Sequence, residues 1–108
     1  MTDIKYKVVG HTAHITISRT EAMNSLGPEQ QEELISVWTD FRDDPEAWVA
    51  IITGEGDRAF CAGADLKTYT PYLAERDIYD LRQDANRTGF GGITRGVDIW
   101  KPIIAAVH

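Results

Sequence analysis

Two short apolar runs, Val49-Ala50-Ile51-Ile52-Thr53 and Ile103-Ile104-Ala105-Ala106-Val107, constrain this chain more than any other feature. Gly54 follows the first and Pro102 precedes the second. An apolar run of this length, without alternation and bounded by turn formers, suits a strand covered on both faces within a layered sheet. The N-terminal residues add a different pattern. Ala13, Ile15 and Ile17 alternate with His14, Thr16 and Ser18, the period of a half-buried strand, and Ile4–Val9 reads as its partner. Gly10-His11-Thr12 between them predicts a β-hairpin.

Helical signals lie between the strands. Gly27-Pro28-Glu29 opens a helix, with proline suited to the first helical position and glutamate to the positive end of the dipole. Leu34, Val37, Trp38 and Phe41 fall at i, i+3, i+4 and i+7, one apolar stripe. Asp43-Asp44-Pro45 should end it, because a residue before proline is pushed out of the helical region. The charged stretch Pro71–Asn86 predicts a second helix with a solvated face, broken at Gly89-Phe90-Gly91-Gly92, and Ile93, Val97 and Trp100 predict a short third. The expected class is α/β, one domain over residues 1–108.

Composition narrows the function. A net charge of −6, with Lys and Arg scattered, disfavours nucleic acid. No apolar run approaches the ~20 residues of a membrane-spanning helix, and Met1-Thr2-Asp3-Ile4-Lys5 lacks the pattern of a secretory signal. A single cysteine, Cys61, has no internal disulfide partner, so a reducing, cytoplasmic compartment is expected.

The chemistry concentrates in Ala59-Phe60-Cys61-Ala62-Gly63-Ala64-Asp65-Leu66-Lys67. Small residues let a ligand approach the backbone, and the N–H groups where a loop enters a helix can face an anion. Each residue also has an ordinary explanation: Gly63 and Ala64 as turn residues, Asp65 as a helix N-cap, and Cys61 as a packed thiol. Gly54-Glu55-Gly56-Asp57-Arg58-Ala59 matches G-x-G-x-x-G/A after a buried strand, with Glu75 about 20 residues on. That dinucleotide fingerprint requires a helix to begin inside the motif, whereas Asp57 to Gly63 reads as a loop.

Read in order, Ser18-Arg19-Thr20-Glu21-Ala22-Met23-Asn24-Ser25-Leu26, Ile51-Ile52-Thr53-Gly54, Ala59 to Leu66, and Lys101-Pro102-Ile103-Ile104-Ala105-Ala106-Val107-His108 resemble successive N-terminal signatures of the enoyl-CoA hydratase/isomerase (crotonase) family. The resemblance implies the front part of a crotonase-type ββα spiral, an acyl-CoA thioester as ligand with no separate cofactor, and self-association as trimers or hexamers. It implies that the backbone N–H of Ala64 is the first oxyanion-hole donor. By the same resemblance Ala62, Gly63, Asp65, Leu66 and Lys67, with Glu21, Ala22 and Met23, lie along the coenzyme A, and Tyr69, Tyr72 and Leu73 fall near the acyl pocket. Some relatives carry lysine at the position of Glu21 to meet a phosphate, and Arg19 or Lys67 is the substitute expected here. Dehalogenase-type relatives place a histidine between the two oxyanion segments, and none lies between Asp65 and Val107. The family's second oxyanion donor and its two water-adding glutamates fall beyond Val107, so these 108 residues are expected to be an incomplete fold, inactive alone. Enoyl-CoA hydration is the expected chemistry, with double-bond isomerisation nearly as close. The alternative is an acyl-CoA-binding or interaction module built from the family's front half.

Overall fold

The computed structural model describes residues 3–77 and 89–108. Four strands form one sheet in the order β1-β2-β3-β4. Strands β1 (Ile4–Val9) and β2 (Thr12–Ile17) are the expected hairpin, paired antiparallel from Ile4 opposite Ile17 to Val9 opposite Thr12. Gly10 holds φ at +61° in the two-residue turn, the sign a tight hairpin needs. Strand β3 (Val49–Gly54) lies parallel to β2, and β4 (Ile103–Ala106) parallel to β3.

The connection from β2 to β3 contains helix α1 (Pro28–Asp43), whose limits agree with the proline and acidic signals read at its ends. Its stripe of Leu34, Val37, Trp38 and Phe41 packs on Ile4, Ala13, Ile15 and Ile17 in one buried cluster. Burying a side chain of this size contributes roughly 1.5–3 kcal/mol. Both helix ends find partners. Gln30 Oε1 accepts from the Gly27 N–H at 2.8 Å, and Lys101 Nζ donates to the carbonyls of Phe41 and Asp44, each at 2.7 Å. These contacts satisfy terminal backbone groups that have no partner within the helix.

The three tryptophans occupy different settings. Trp38 is 2% exposed and donates its indole N–H to the Gly91 carbonyl at 2.9 Å. Trp48 stacks flat on the His11 ring at 3.5 Å. Trp100 is 93% exposed.

Three expectations require correction. The second helix, α2, spans Leu66–Ala74, so it begins before Pro71 rather than at it. The rest of the expected Pro71–Asn86 helix, from residue 78 onward, lies outside the described residues. No helix forms over 93–100. Gly92 and Gly96, both at positive φ, interrupt that stretch, and only a single 3₁₀ turn forms at Phe90–Gly92. Full cover of the apolar strands is also absent among the described residues. Within β3 only Ala50 and Gly54 are buried, and all of β4 is exposed, including Ile103 and Ile104.

Gly54 ends β3 where only glycine fits. A Cβ there would lie 2.2 Å from the Phe60 carbonyl and 2.8 Å from that of Ala59. Gly54→Ala is therefore expected to push the 59–60 backbone away and cost about 1–3 kcal/mol, read as a lower chemical denaturation midpoint.

Candidate functional site

Beyond Gly54 the chain runs through an irregular loop until Leu66 starts α2. With no helix inside residues 54–59, the dinucleotide-type motif lacks the helix N-terminus on which a pyrophosphate would sit. The loop is fastened instead to the segment following β2. Asn24 is 1% exposed, and its Nδ2 donates to the carbonyls of Glu55 at 3.0 Å and Ala59 at 2.7 Å. Its Oδ1 accepts from the Arg19 N–H at 2.8 Å. Both Met23 and Asn24 hold positive φ, 56° and 57°, a region asparagine tolerates far better than most residues.

Further along, the loop makes one parallel bridge, between Leu26 and Ala64. The Leu26 N–H donates to the Gly63 carbonyl at 2.8 Å, and the Asp65 N–H donates to the Leu26 carbonyl at 2.9 Å. In such a bridge the groups flanking Ala64 face Leu26, so the N–H of Ala64 itself faces the other way. The trans peptide requires the same, because the Gly63 carbonyl and the Ala64 N–H lie on opposite sides of their plane. Ala64 is exposed, and its N–H has no acceptor among the described residues. Gly63 adopts φ +101°, with nothing within 4 Å of where a Cβ would stand. Backbone conformation, not crowding, demands glycine here, and the space above the loop is open.

Asp65 caps α2, accepting from the Lys67 N–H at 3.1 Å. Its other carboxylate oxygen accepts from Arg19 Nη2 at 3.1 Å, and these two side chains are only 12% and 14% exposed. Desolvation opposes ionisation of Asp65, but the Arg19 and Lys67 hydrogen bonds and the Arg19 charge outweigh it and hold the carboxyl below its ordinary range. Glu55 is lowered likewise by hydrogen bonds from Lys5 and Ser18. A carboxylate with a depressed folded pKa stabilises fully above its unfolded value, near 4, and loses that contribution as pH falls through the folded value. Thermal midpoints are thus expected to hold steady down to about pH 4 and to fall below it. Asp65→Asn should flatten part of that acid-side slope.

The structure gathers most residues singled out from sequence. Ala62 donates its N–H to the Met23 carbonyl at 3.1 Å, which brings Glu21, Ala22 and Met23 beside Ala62–Lys67. Glu21, Ala62, Leu66 and Lys67 are exposed, and Leu66 is 72% exposed. Tyr69 packs edge-on against Tyr72 at 5.9 Å, and the Arg76 guanidinium covers Tyr72 at 3.9 Å. Of the two expected phosphate partners, Arg19 and Lys67, the first is already engaged. Arg19 is committed to Asp65, to the Ser25 carbonyl at 2.7 Å and to Asp3 at 3.6 Å, so it is not the exposed cation a phosphate would need. Lys67 is exposed and stands beside the loop. A cleft of about 490 Å³ is lined by Arg19 with Asp3, Glu21, Gln30 and Tyr72 among others, and Ala62–Leu66 do not line it. No helix of the described residues is long and apolar enough to cross a membrane.

The model of the enoyl-CoA hydratase/isomerase family matches residues 9–108. The chain belongs to that family. Among curated enoyl-CoA hydratase/isomerase relatives, it is 37% identical to (E)-benzylidenesuccinyl-CoA hydratase of Thauera aromatica over 97% of its own length and 39% of that protein. It is 41% identical to carnitinyl-CoA dehydratase of Proteus mirabilis over 92% of its length and 35% of that protein. Its fold is similar to the crystal structure of carnitinyl-CoA hydratase from Mycobacterium avium, at 34% identity and a TM-score of 0.80, covering 97% of this chain and 38% of that one. The chain therefore spans under half the length of the relatives it matches and corresponds to the N-terminal part of the crotonase-type fold.

Asn24 and Arg19 were not legible as site-organising residues from sequence. Their partners in the loop lie 31 to 46 residues away, beyond any local pattern. The one available signal was an asparagine in a turn segment, the residue type most suited to positive φ.

Proposed function

We propose that the whole protein acts on acyl-CoA thioesters, adding water to a 2-enoyl-CoA, or shifting its double bond, through an oxyanion on the thioester carbonyl. The observation that carries this is the Ala64 N–H: exposed, without an acceptor among the described residues, and aimed away from a bridge that fixes its peptide plane. A donor held in place before reaction stabilises developing charge without reorganisation, typically by about 2.7–4 kcal/mol per donor. Hydratase and dehydratase names among the relatives favour water addition over isomerisation.

On this proposal the coenzyme A runs along Glu21, Ala22, Met23, Ala62, Gly63, Asp65 and Leu66, with Lys67 the cation nearest its phosphates and Tyr69 toward the acyl group. Asp65 contributes through its backbone, since its carboxylate is held by Arg19. The thioester is substrate, and no further cofactor is invoked. The acidic surface argues against nucleic acid. Lyase chemistry in fatty-acid-type metabolism, a cytoplasmic site and self-association as trimers or hexamers complete the proposal. The exposed Ile103, Ile104 and Val107 suit elements that cover them in the whole protein.

The test is to mix the whole protein with a short 2-enoyl-CoA and follow loss of the conjugated thioester absorbance while titrating acyl-CoA binding in parallel. Turnover with binding supports the proposal. Binding without turnover favours an acyl-CoA-binding module. Tight NAD binding without affinity for CoA would overturn both.

A further inference from the structure

We infer that Arg19 is a positioning residue for the Ala64 N–H. The loop carrying that N–H is tied to the preceding segment by Asn24 at Ala59, by the Ala62 N–H on the Met23 carbonyl and, at Ala64 itself, by one isolated bridge to Leu26. That bridge has no neighbouring ladder to keep it in register, so a side-chain link across it sharpens the placement of Ala64. The Arg19 guanidinium spans it. Nη1 donates to the carbonyl of Ser25, the residue before Leu26, at 2.7 Å. Nη2 donates to the carboxylate of Asp65, the residue after Ala64, at 3.1 Å.

Each side of this staple is anchored again. Asp65 is fixed by its N–H on the Leu26 carbonyl and by its cap on the Lys67 N–H. Arg19 is fixed by its N–H on Asn24 Oδ1 and by its Nε, 3.6 Å from Asp3. The planar fork is what allows one side chain to grip both sides at once, and a lysine ammonium at the same place offers a point charge without that span. Arg19 reaches the candidate oxyanion only through Asp65 and Ser25. A small misplacement of a donor held this way is enough to lose one or two orders of magnitude in rate.

The kinetic arm of the test rests on the acyl-CoA chemistry proposed above; a spectroscopic arm does not. Arg19→Lys, Arg19→Gln, Asp65→Asn and the Arg19→Gln/Asp65→Asn double variant are compared with the unchanged whole protein. The measurements are kcat, KM for a 2-enoyl-CoA, thermal midpoint, and the NMR shift and hydrogen exchange of the Ala64 amide. Each single variant is expected to lower kcat about 10- to 100-fold, with KM within about threefold. Arg19→Lys should fail to rescue, and the Ala64 amide should shift and exchange faster. The double variant should lose no more than the worse single one, because both remove the same link.

An unchanged kcat and Ala64 amide beside a lowered thermal midpoint would overturn the inference, as would full multiplication of the two losses in the double variant. Should Arg19→Gln fail to fold, Asp65→Asn decides the matter, since asparagine keeps the helix cap while removing the charge. If the unchanged protein turns over no enoyl-CoA, the functional proposal fails, and the Ala64 amide alone judges Arg19.

Discussion

Ala64→Pro is expected to lower kcat/KM for a 2-enoyl-CoA by about 100- to 1,000-fold, the loss typical of one oxyanion donor. Proline removes an N–H that makes no internal hydrogen bond among the described residues, and it also fixes φ at position 64 and restricts Gly63 before it. The Gly63 carbonyl and the Asp65 N–H, which form the bridge to Leu26, both survive the change. The thermal midpoint is expected to fall by a modest amount, set by proline's backbone constraint, while turnover collapses. Steady-state kinetics beside a thermal melt checks both halves. Near-normal turnover would remove Ala64 from the chemistry, whatever else the protein does.

Asn24→Ala should have the opposite signature, a large loss of stability of about 3–5 kcal/mol. Three hydrogen bonds disappear together, and the Arg19 N–H and the Glu55 and Ala59 carbonyls lose their partner in a buried place. Each backbone group left unsatisfied costs roughly 1–3 kcal/mol. Alanine also tolerates the φ of 57° less well than asparagine. A denaturant titration of the variant should show a much lower midpoint. A change within about 1 kcal/mol would mean that water reaches these groups and that the loop is held elsewhere.

The sheet and α1 were legible because their signals are local and agree with one another. Pro28 and Asp44-Pro45 mark the ends of α1, while Leu34, Val37, Trp38 and Phe41 mark its buried face. Helix α2 departs from the pattern because Pro71, a residue suited to a helix start, sits inside a helix that Asp65 caps and that begins at Leu66. The stretch from Ile93 to Trp100 has helical spacing on paper, but glycines at positive φ interrupt it. Chemistry in the 59–67 loop was visible as a run of small residues. What fixes that loop was not, since Arg19 to Asp65 and Asn24 to Ala59 are pairings made by the tertiary fold.

The distribution of the tryptophans gives the molecule three optical reporters that need no label. Buried Trp38, bonded to Gly91, should emit at short wavelength and redden only when α1 leaves the sheet. Trp48, face to face with His11, should change its emission when that stack opens, which makes the hairpin turn readable by fluorescence. Trp100, almost wholly in water, should shift to the blue when any element or partner settles over the neighbouring β4 edge.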